Sequence, residues 1–482
     1  MRKRILPVIL GLILILSLAS GALAVVPDET VSSAADSSLQ YLYATVPEPR
    51  IAQIGGDWAI LALARGGADV PASYYARYYQ KVEETVRAKN GVLHTVKYTE
   101  YARVTLALSA IGKDARNVAG YDLVAPLYDS SKVNGQGLNG TIFALLALDS
   151  VQGLTSAEAT AARQGYVQTI LNAQLTNGGW NLGGTQADPD MTAMALQALA
   201  KYQDQSAVAA AIEKGVVRLG KLQSSEGGYV NTQGEGNVES LAQVIVALCE
   251  LGVSLDDSRF VKNGVTLLDN FLSFQSADGG FRHKENDEDN DGMSSEQGAY
   301  ALVAVKRVIE GKSSLYRMSD AVDLTVGGEL PAVTDSVGTV LPPESVSDGS
   351  TCYTATLGPV TILLRGSGSS YSIESTGDIA CVVLAKKADG SYERKTITST
   401  GDNHTLSIYA GEEIVVAVTG DINGDGRVSA LEARMALRAS ANPTALDALK
   451  TAIADLDASG KLSALEARRL LRASTNPNTL PW

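Results

Sequence analysis

Three connections between helical stretches limit the folds open to this chain more than any other feature. Gln174-Leu175-Thr176-Asn177-Gly178-Gly179-Trp180, Gln223-Ser224-Ser225-Glu226-Gly227-Gly228-Tyr229 and Gln275-Ser276-Ala277-Asp278-Gly279-Gly280-Phe281 recur at spacings of 49 and 52 residues. Each closes a helix on a glutamine, turns on paired glycines free to take positive φ, and then sets an aromatic residue behind the turn. A unit repeated at this interval buries its apolar side by stacking on its own copies. Helical periodicity runs from residue 30 to 317 and comes in pairs: 31–46 with 56–66, 72–89 with 99–112, 119–129 with 138–151, 157–174 with 189–202, 205–223 with 238–252, and 259–275 with 295–310. The second member of each pair is the more apolar, as in Met191-Thr192-Ala193-Met194-Ala195-Leu196, and a helix apolar on nearly all sides is buried. Six outer and six inner helices are therefore expected in a closed double ring.

Residues 30–317 resemble the α/α toroid of squalene cyclases and protein prenyltransferases, whose QW repeats have this layout. Gly165, Tyr166, Ile170 and Leu171 upstream of Gln174 fit as well, as do Lys214, Gly215 and Leu219 upstream of Gln223. The resemblance implies that the glutamine and the aromatic residue tie hairpins together and take no part in chemistry. It also directs attention to Asp188-Pro189-Asp190-Met191-Thr192-Ala193, which resembles the acid box of cyclases that protonate an alkene, with Asp190 at the position of the general acid. Met191 stands where a third Asp belongs. The plainer reading is that Asp188 caps a helix, Pro189 takes its first position and Asp190 favours its dipole. Zinc chemistry finds no support, because Cys249, His94, His283 and His404 form no cluster of ligand spacing.

Inner helices open with Asp57, Glu100, Asn139, Asp190, Glu239 and Glu296. Helix N-termini prefer acidic residues, and in a closed ring these would also line one mouth, with Trp58, Tyr101, Trp180, Tyr229, Phe281 and Tyr300 near it. Asp190 and Glu239 are the candidate catalytic carboxylates, for a cyclase or a glycoside-cleaving enzyme. Such an enzyme is the alternative to the main reading, a toroid that binds a glycan, a small molecule or a partner without chemistry. Asp287, Asp289 and Asp291 repeat the first half of a calcium loop, and Glu296 could complete a shell, although the twelfth position is Gly298.

The chain closes on two copies of a twelve-residue segment. Asp421, Asn423, Asp425, Arg427, Ser429 and Glu432 occupy positions 1, 3, 5, 7, 9 and 12 of the first, with Gly426 at 6. Asp455, Asp457, Ser459, Lys461, Ser463 and Glu466 repeat the set 34 residues later, with Gly460 at 6. This spacing suits Ca2+, with side-chain oxygens at 1, 3 and 5, a carbonyl at 7, water at 9 and a bidentate glutamate at 12. Ser459 is a weaker ligand than Asp425, so the second loop should bind more loosely. Residues 419–477 resemble a type I dockerin, with Glu where Asp is commoner at position 12. The resemblance implies a cohesin module of a scaffold protein as partner, in a cellulosome-like complex. Ala430, Leu431, Leu437 and Arg438, with Ala464, Leu465, Leu471 and Arg472, would then form two near-equivalent docking patches.

Between the two helical regions the composition shifts to Gly, Ser, Thr and Val. A linker is expected at 318–339 and a small β-sandwich at 340–418, where Cys352 and Cys381 could pair or remain free. Cys249 should be a buried free thiol. Arg2-Lys3-Arg4, the apolar run from Ile5 to Ser17 and Ala22-Leu23-Ala24 read as a signal peptide over residues 1–24. The expected mature product is secreted, without a membrane span, and possible attachment to the cell surface would run through the scaffold. A formal charge of −13 argues against nucleic acid as a partner.

Overall fold

A computed structural model describes residues 26–230, 236–325, 331–347, 350–367, 370–376, 379–387, 390–397, 404–408, 412–476 and 480. The signal-peptide reading falls on residues outside this set. No helix among the described residues is long and apolar enough to cross a membrane.

The inner helices are α2 (Asp57–Gly66), α4 (Tyr98–Ala110), α6 (Gly137–Ser150), α8 (Pro189–Leu199), α10 (Val238–Leu251) and α12 (Gly292–Ile309). Each packs on the next, and α12 packs on α2, so the ring closes. Every residue of α10 is buried, as its mostly apolar sequence favours, and Glu239, Ser240, Gln243 and Glu250 are buried with it. Outside lie α1 (Asp28–Thr45), α3 (Ala72–Ala88), α7 (Ala157–Asn172), α9 (Ser206–Leu222) and α11 (Leu267–Leu272).

Two outer positions depart from the expected pattern. No long helix forms over 119–129; a 3-10 turn (Ala125–Tyr128), the four-residue α5 (Ser130–Val133) and a second 3-10 turn (Asn134–Gln136) stand there instead. Ala119 and Gly120 both take positive φ and Pro126 follows, which prevents a continuous helix. Similarly, Asn263 and Gly264 turn at positive φ, so the last outer helix starts only at Leu267, behind a Thr266–Asp269 capping box.

The three glutamines bridge neighbouring hairpins. Gln174 Nε2 donates to the carbonyls of Gly178 and Ala211, both at 2.8 Å. Gln223 Nε2 reaches Gly227 and Phe260 at 2.8 and 2.9 Å. Gln275, in the last hairpin, donates to Ala34 and Ser38 of α1 at 2.9 and 2.8 Å, which joins the end of the ring to its start. Gly178, Gly227 and Gly279 take φ of 94°, 88° and 93°, as the turns demand.

Among the described residues, ten strands form a sandwich of two sheets, ordered β2-β1-β10-β7-β8 and β3-β4-β5-β6-β9. They are β1 (Ala332–Asp335), β2 (Val340–Leu341), β3 (Glu344–Ser345), β4 (Thr351–Leu357), β5 (Val360–Ser367), β6 (Ser370–Ser375), β7 (Cys381–Lys386), β8 (Tyr392–Ile397), β9 (His404–Ser407) and β10 (Glu413–Val418). β1 begins inside the expected linker, because Ala332–Asp335 pairs in parallel with β10. The earlier part of that linker belongs to the toroid: Met318 is buried in its core, and Asp320 bridges Arg65 and Arg307. Cys352 and Cys381 form no disulfide and lie on different sheets. Tyr353 turns into the core between the sheets while Cys352 stays at the outer face, so the two thiols do not meet. Cys249 is free and buried.

Three helices end the chain: α13 (Ala430–Ala441), α14 (Ala448–Ala454) and α15 (Ala464–Ala473). α13 and α15 pack on each other around Ala433, Ala436, Ala467 and Leu470.

Candidate functional site

At the mouth where the inner helices begin, two groups of acidic residues form, one of which pairs Asp57 of the first turn of α2 with Glu296 of the second turn of α12. In the first, Asp57 is fully buried: Oδ1 accepts from the Tyr78 hydroxyl at 2.6 Å, and Oδ2 accepts from Ala52 N at 2.8 Å. Arg103 Nε lies 3.0 Å from the same Oδ2. Glu296 Oε1 crosses from α12 to accept the backbone N–H groups of Gly55 and Gly56 at 2.9 and 3.0 Å. Its Oε2 is buried with no partner. Burial pushes Asp57 up to about 6 and Glu296 up to about 7, despite the hydrogen bonds that favour their charged forms.

The second group joins Asp190, Glu239 and His283. Asn237 caps α10 and Asp291 caps α12, which brings Glu239 and Ser294 together, and the Ser294 hydroxyl donates to Glu239 Oε1. His283 Nδ1 stands 3.0 and 2.9 Å from the two Glu239 oxygens. Asp190 Oδ1 is buried and unpartnered. Burial raises the Asp190 carboxyl to about 6, opposed by a hydrogen bond from Ser240 and assisted by the charges of Asp188 and Glu239. The capping reading of Asp188 holds too, since its side chain accepts Met191 N at 2.9 Å. The sequence pointed to Asp190 and Glu239 separately, and the fold sets their charges against each other. It gave no sign of His283, which is 44 residues from Glu239 and reaches it only because the third turn folds over α10.

The aromatic residues divide differently from the expected rim. Trp180, Tyr229 and Phe281 are fully buried between hairpins, where Trp180 Nε1 donates to the Ile170 carbonyl at 2.7 Å. Trp58 of α2 meets Phe143 of α6 at 5.7 Å and Tyr300 of α12 at 5.9 Å between ring centroids. Because α2 and α6 are not neighbours in the ring, these side chains fill its middle. Gln243 extends the plug by donating to Gln297 and to the Tyr300 hydroxyl at 2.9 and 2.6 Å.

Asp287, Asp289, Asp291 and Glu296 do not assemble a common shell. Asp287 accepts Lys284 N, Asp291 caps α12, and Glu296 is committed to Gly55 and Gly56. Helix α12 starts directly after Asp291 and turns Glu296 toward the first hairpin, so the third calcium site is not formed.

Both C-terminal loops adopt the turn their spacing requires, with Gly426 and Gly460 at φ of 77° and 78°. In the first loop, Asp421 Oδ2 accepts Gly426 N at 2.7 Å and Oδ1 accepts Gly424 N at 2.8 Å. Burial raises the Asp421 carboxyl to about 6. Glu432 closes a capping box with Ser429 through Oε2, while its Oε1 is buried without a partner. In the second loop, carboxylate oxygens of Asp455, Asp457 and Glu466 lie within 4.8 Å of one another, an arrangement that could hold a cation. Ser459 Oγ turns instead to the Lys461 carbonyl at 3.0 Å. Ala430, Leu431, Leu437, Arg438, Ala464, Leu465, Leu471 and Arg472 are all exposed.

No protein-family model matches the chain, and no curated protein does. Among solved structures, the chain is similar to a UGL structure with dGlcA-Glc-Rha-Glc at 11% identity and a TM-score of 0.44, over 60% of this chain and 99% of that one. It is similar to an apo structure of the type II terpene cyclase MstE from Scytonema at 13% identity and a TM-score of 0.40, over 58% and 98%. A structure described as a glycosidase aligns at 13% identity and a TM-score of 0.38, over 58% of this chain and 99% of that one.

Proposed function

We propose that this chain is a secreted cargo protein held through calcium by a cohesin module on an extracellular, polysaccharide-degrading scaffold, with a toroid whose mouth binds a glycan or small molecule. One observation carries the docking reading. Leu431, Leu437, Leu465 and Leu471 are 40%, 53%, 56% and 51% exposed, at equivalent places on two copies of one helix. Paired apolar patches of this kind, each flanked by an arginine, suit a protein partner. The residues also fit the ion. Glu432 keeps one buried oxygen without a partner, and the second loop gathers three carboxylates. Calcium, when bound, would satisfy these oxygens and fix the start of each helix. Asp421, Asn423, Asp425, Glu432 and the Arg427 carbonyl would hold one ion; Asp455, Asp457, Ser459, Glu466 and the Lys461 carbonyl would hold the other. In pull-downs with a scaffold cohesin, binding should fall at least about 100-fold when a chelator removes calcium or when Leu437 and Leu471 are both changed to Asp. Calcium-independent capture, or none, would count against docking.

A second reading rests on the Asp190–Glu239–His283 group. A carboxyl raised to about 6 keeps part of its proton near neutral pH, which suits a general acid. Glu239, held by His283 and Ser294, would then serve as the basic or stabilising partner. If the toroid cleaves glycosides, a panel of polysaccharides will include one from which the protein releases reducing ends. Asp190→Asn and Glu239→Gln should then each lower kcat about 100-fold or more without lowering Tm. Release that persists unchanged in both variants rules these carboxylates out.

A further inference from the structure

The second acidic loop is not a free-standing element. Ile453 of α14 packs on Val382, Leu384 and Ala417 at the outer face of the β-sandwich, and α14 runs directly into Asp455. Gly420 N donates to the Ile453 carbonyl at 3.0 Å, so the strand leaving the sandwich is bonded to the same turn. From β8, Arg394 reaches across this seam, and its Nη2 donates to the Ala452 carbonyl at 3.2 Å. The guanidinium is half-buried there, and its charge acts on Asp455, Glu466 and Asp457, the three carboxylates the loop gathers. Arg469, on α15 itself, faces Asp457. The first loop is clasped differently, by backbone. A Cβ at Gly358, in the β4–β5 turn, would lie 2.0 Å from the Asp425 carbonyl, and one at Gly426 would lie 1.9 Å from the Leu357 carbonyl.

We infer that Arg394 of the β-sandwich sets the calcium affinity of the second loop, by holding a positive charge beside the carboxylates that would take the ion. This rests on the calcium reading above and extends it. A guanidinium and a divalent cation drawn to one set of carboxylates repel each other, and at a half-buried seam that repulsion is only partly screened. The sandwich thereby makes the second site weaker than its own ligands would, adding to the effect of the neutral Ser459. Binding there pushes against the contact that fastens α14 to the sheet, so occupancy of the second loop and tightness of this seam oppose one another.

Isothermal titration of the full chain with calcium tests this. Glu432→Gln disables the first loop, so the remaining binding reports on the second. In that background Arg394→Gln should bind calcium about tenfold tighter or more, while Arg394→Lys, which keeps the charge, should stay close to the arginine form. Should Arg394→Gln disturb the sandwich, Arg394→Met keeps the aliphatic stem and should show the same gain. Equal or weaker binding in the uncharged variants overturns the inference while leaving calcium binding intact. Absence of calcium binding in the unsubstituted protein overturns the calcium reading, and this inference with it.

Discussion

Trp180→Ala should lower the melting temperature of the toroid by roughly 10 °C. The side chain is fully buried, and its ring fills the space where a Cβ on Gly215 of α9 would come within 2.9 Å of it. Its indole N–H holds the Ile170 carbonyl of α7, and its backbone N–H is held by Thr192 of α8 at 3.0 Å. One residue thus joins three helices of two hairpins. Truncating a buried Trp costs about 3–5 kcal/mol through lost burial and a residual cavity, and loss of the indole hydrogen bond adds to it. For a domain of this size each kcal/mol shifts the midpoint by roughly 2–4 °C. Trp180→Phe keeps most of the volume and should lose about half as much. Differential scanning calorimetry decides the matter, and a Trp180→Ala melt within about 2 °C of the parent would show that the motif does not brace the ring.

Acidification should stabilise the toroid. Asp57 and Asp190, both lifted to about 6, and Glu296, lifted to about 7, are carboxyls whose folded values stand above their unfolded ones. In this direction the folded state holds more protons than the unfolded state between about pH 4 and 7. Stability is therefore lowest above pH 7. It rises as pH falls through 7 to 6, and the full gain is present below about pH 4. At about 1.4 kcal/mol per unit, the part of this gain that falls between pH 8 and pH 5 is on the order of 5 kcal/mol, or a midpoint roughly 10 °C higher at pH 5 than at pH 8. Two of the three tryptophans, Trp58 and Trp180, lie in the toroid, so with the third removed by Trp482→Phe a tryptophan-fluorescence melt with chelator present follows this domain and leaves the acidic loops free of metal. Glu296→Gln should flatten the dependence by about half and raise stability at pH 8, because the amide oxygen can still accept from Gly55 and Gly56. A midpoint that is unchanged or higher at pH 8 would contradict the buried-carboxylate account.

What the sequence disclosed follows from how local each signal is. Gln174, Gln223 and Gln275 sit beside paired glycines whose positive φ has only one inexpensive solution, so the turns were readable. The twin acidic loops were readable for the same reason, since all their oxygens come from twelve consecutive residues. The irregular outer segment at 119–136 was misread, because its apolar content suggested a helix while Ala119, Gly120 and Pro126 forbade a long one. β1 was hidden in an expected linker, as four residues carry little pattern and their partner strand lies some 80 residues on. His283 and Arg394 left no trace at all, because each matters only through a neighbour supplied by a remote element.

The bond from Gln275 to α1 spans 241 residues, and Glu296 reaches back to Gly55 over the same distance. At the usual pace of synthesis, roughly 5–20 residues per second, the first helix is made about 10–50 s before Gln275 and α12, on which it closes the ring, exist. Until then Val31, Ala35, Leu39 and Leu42 have no α12 to cover them. A ring that shuts by joining its newest part to its oldest finishes folding all at once and late, with its opening helix waiting, exposed, for the closing one.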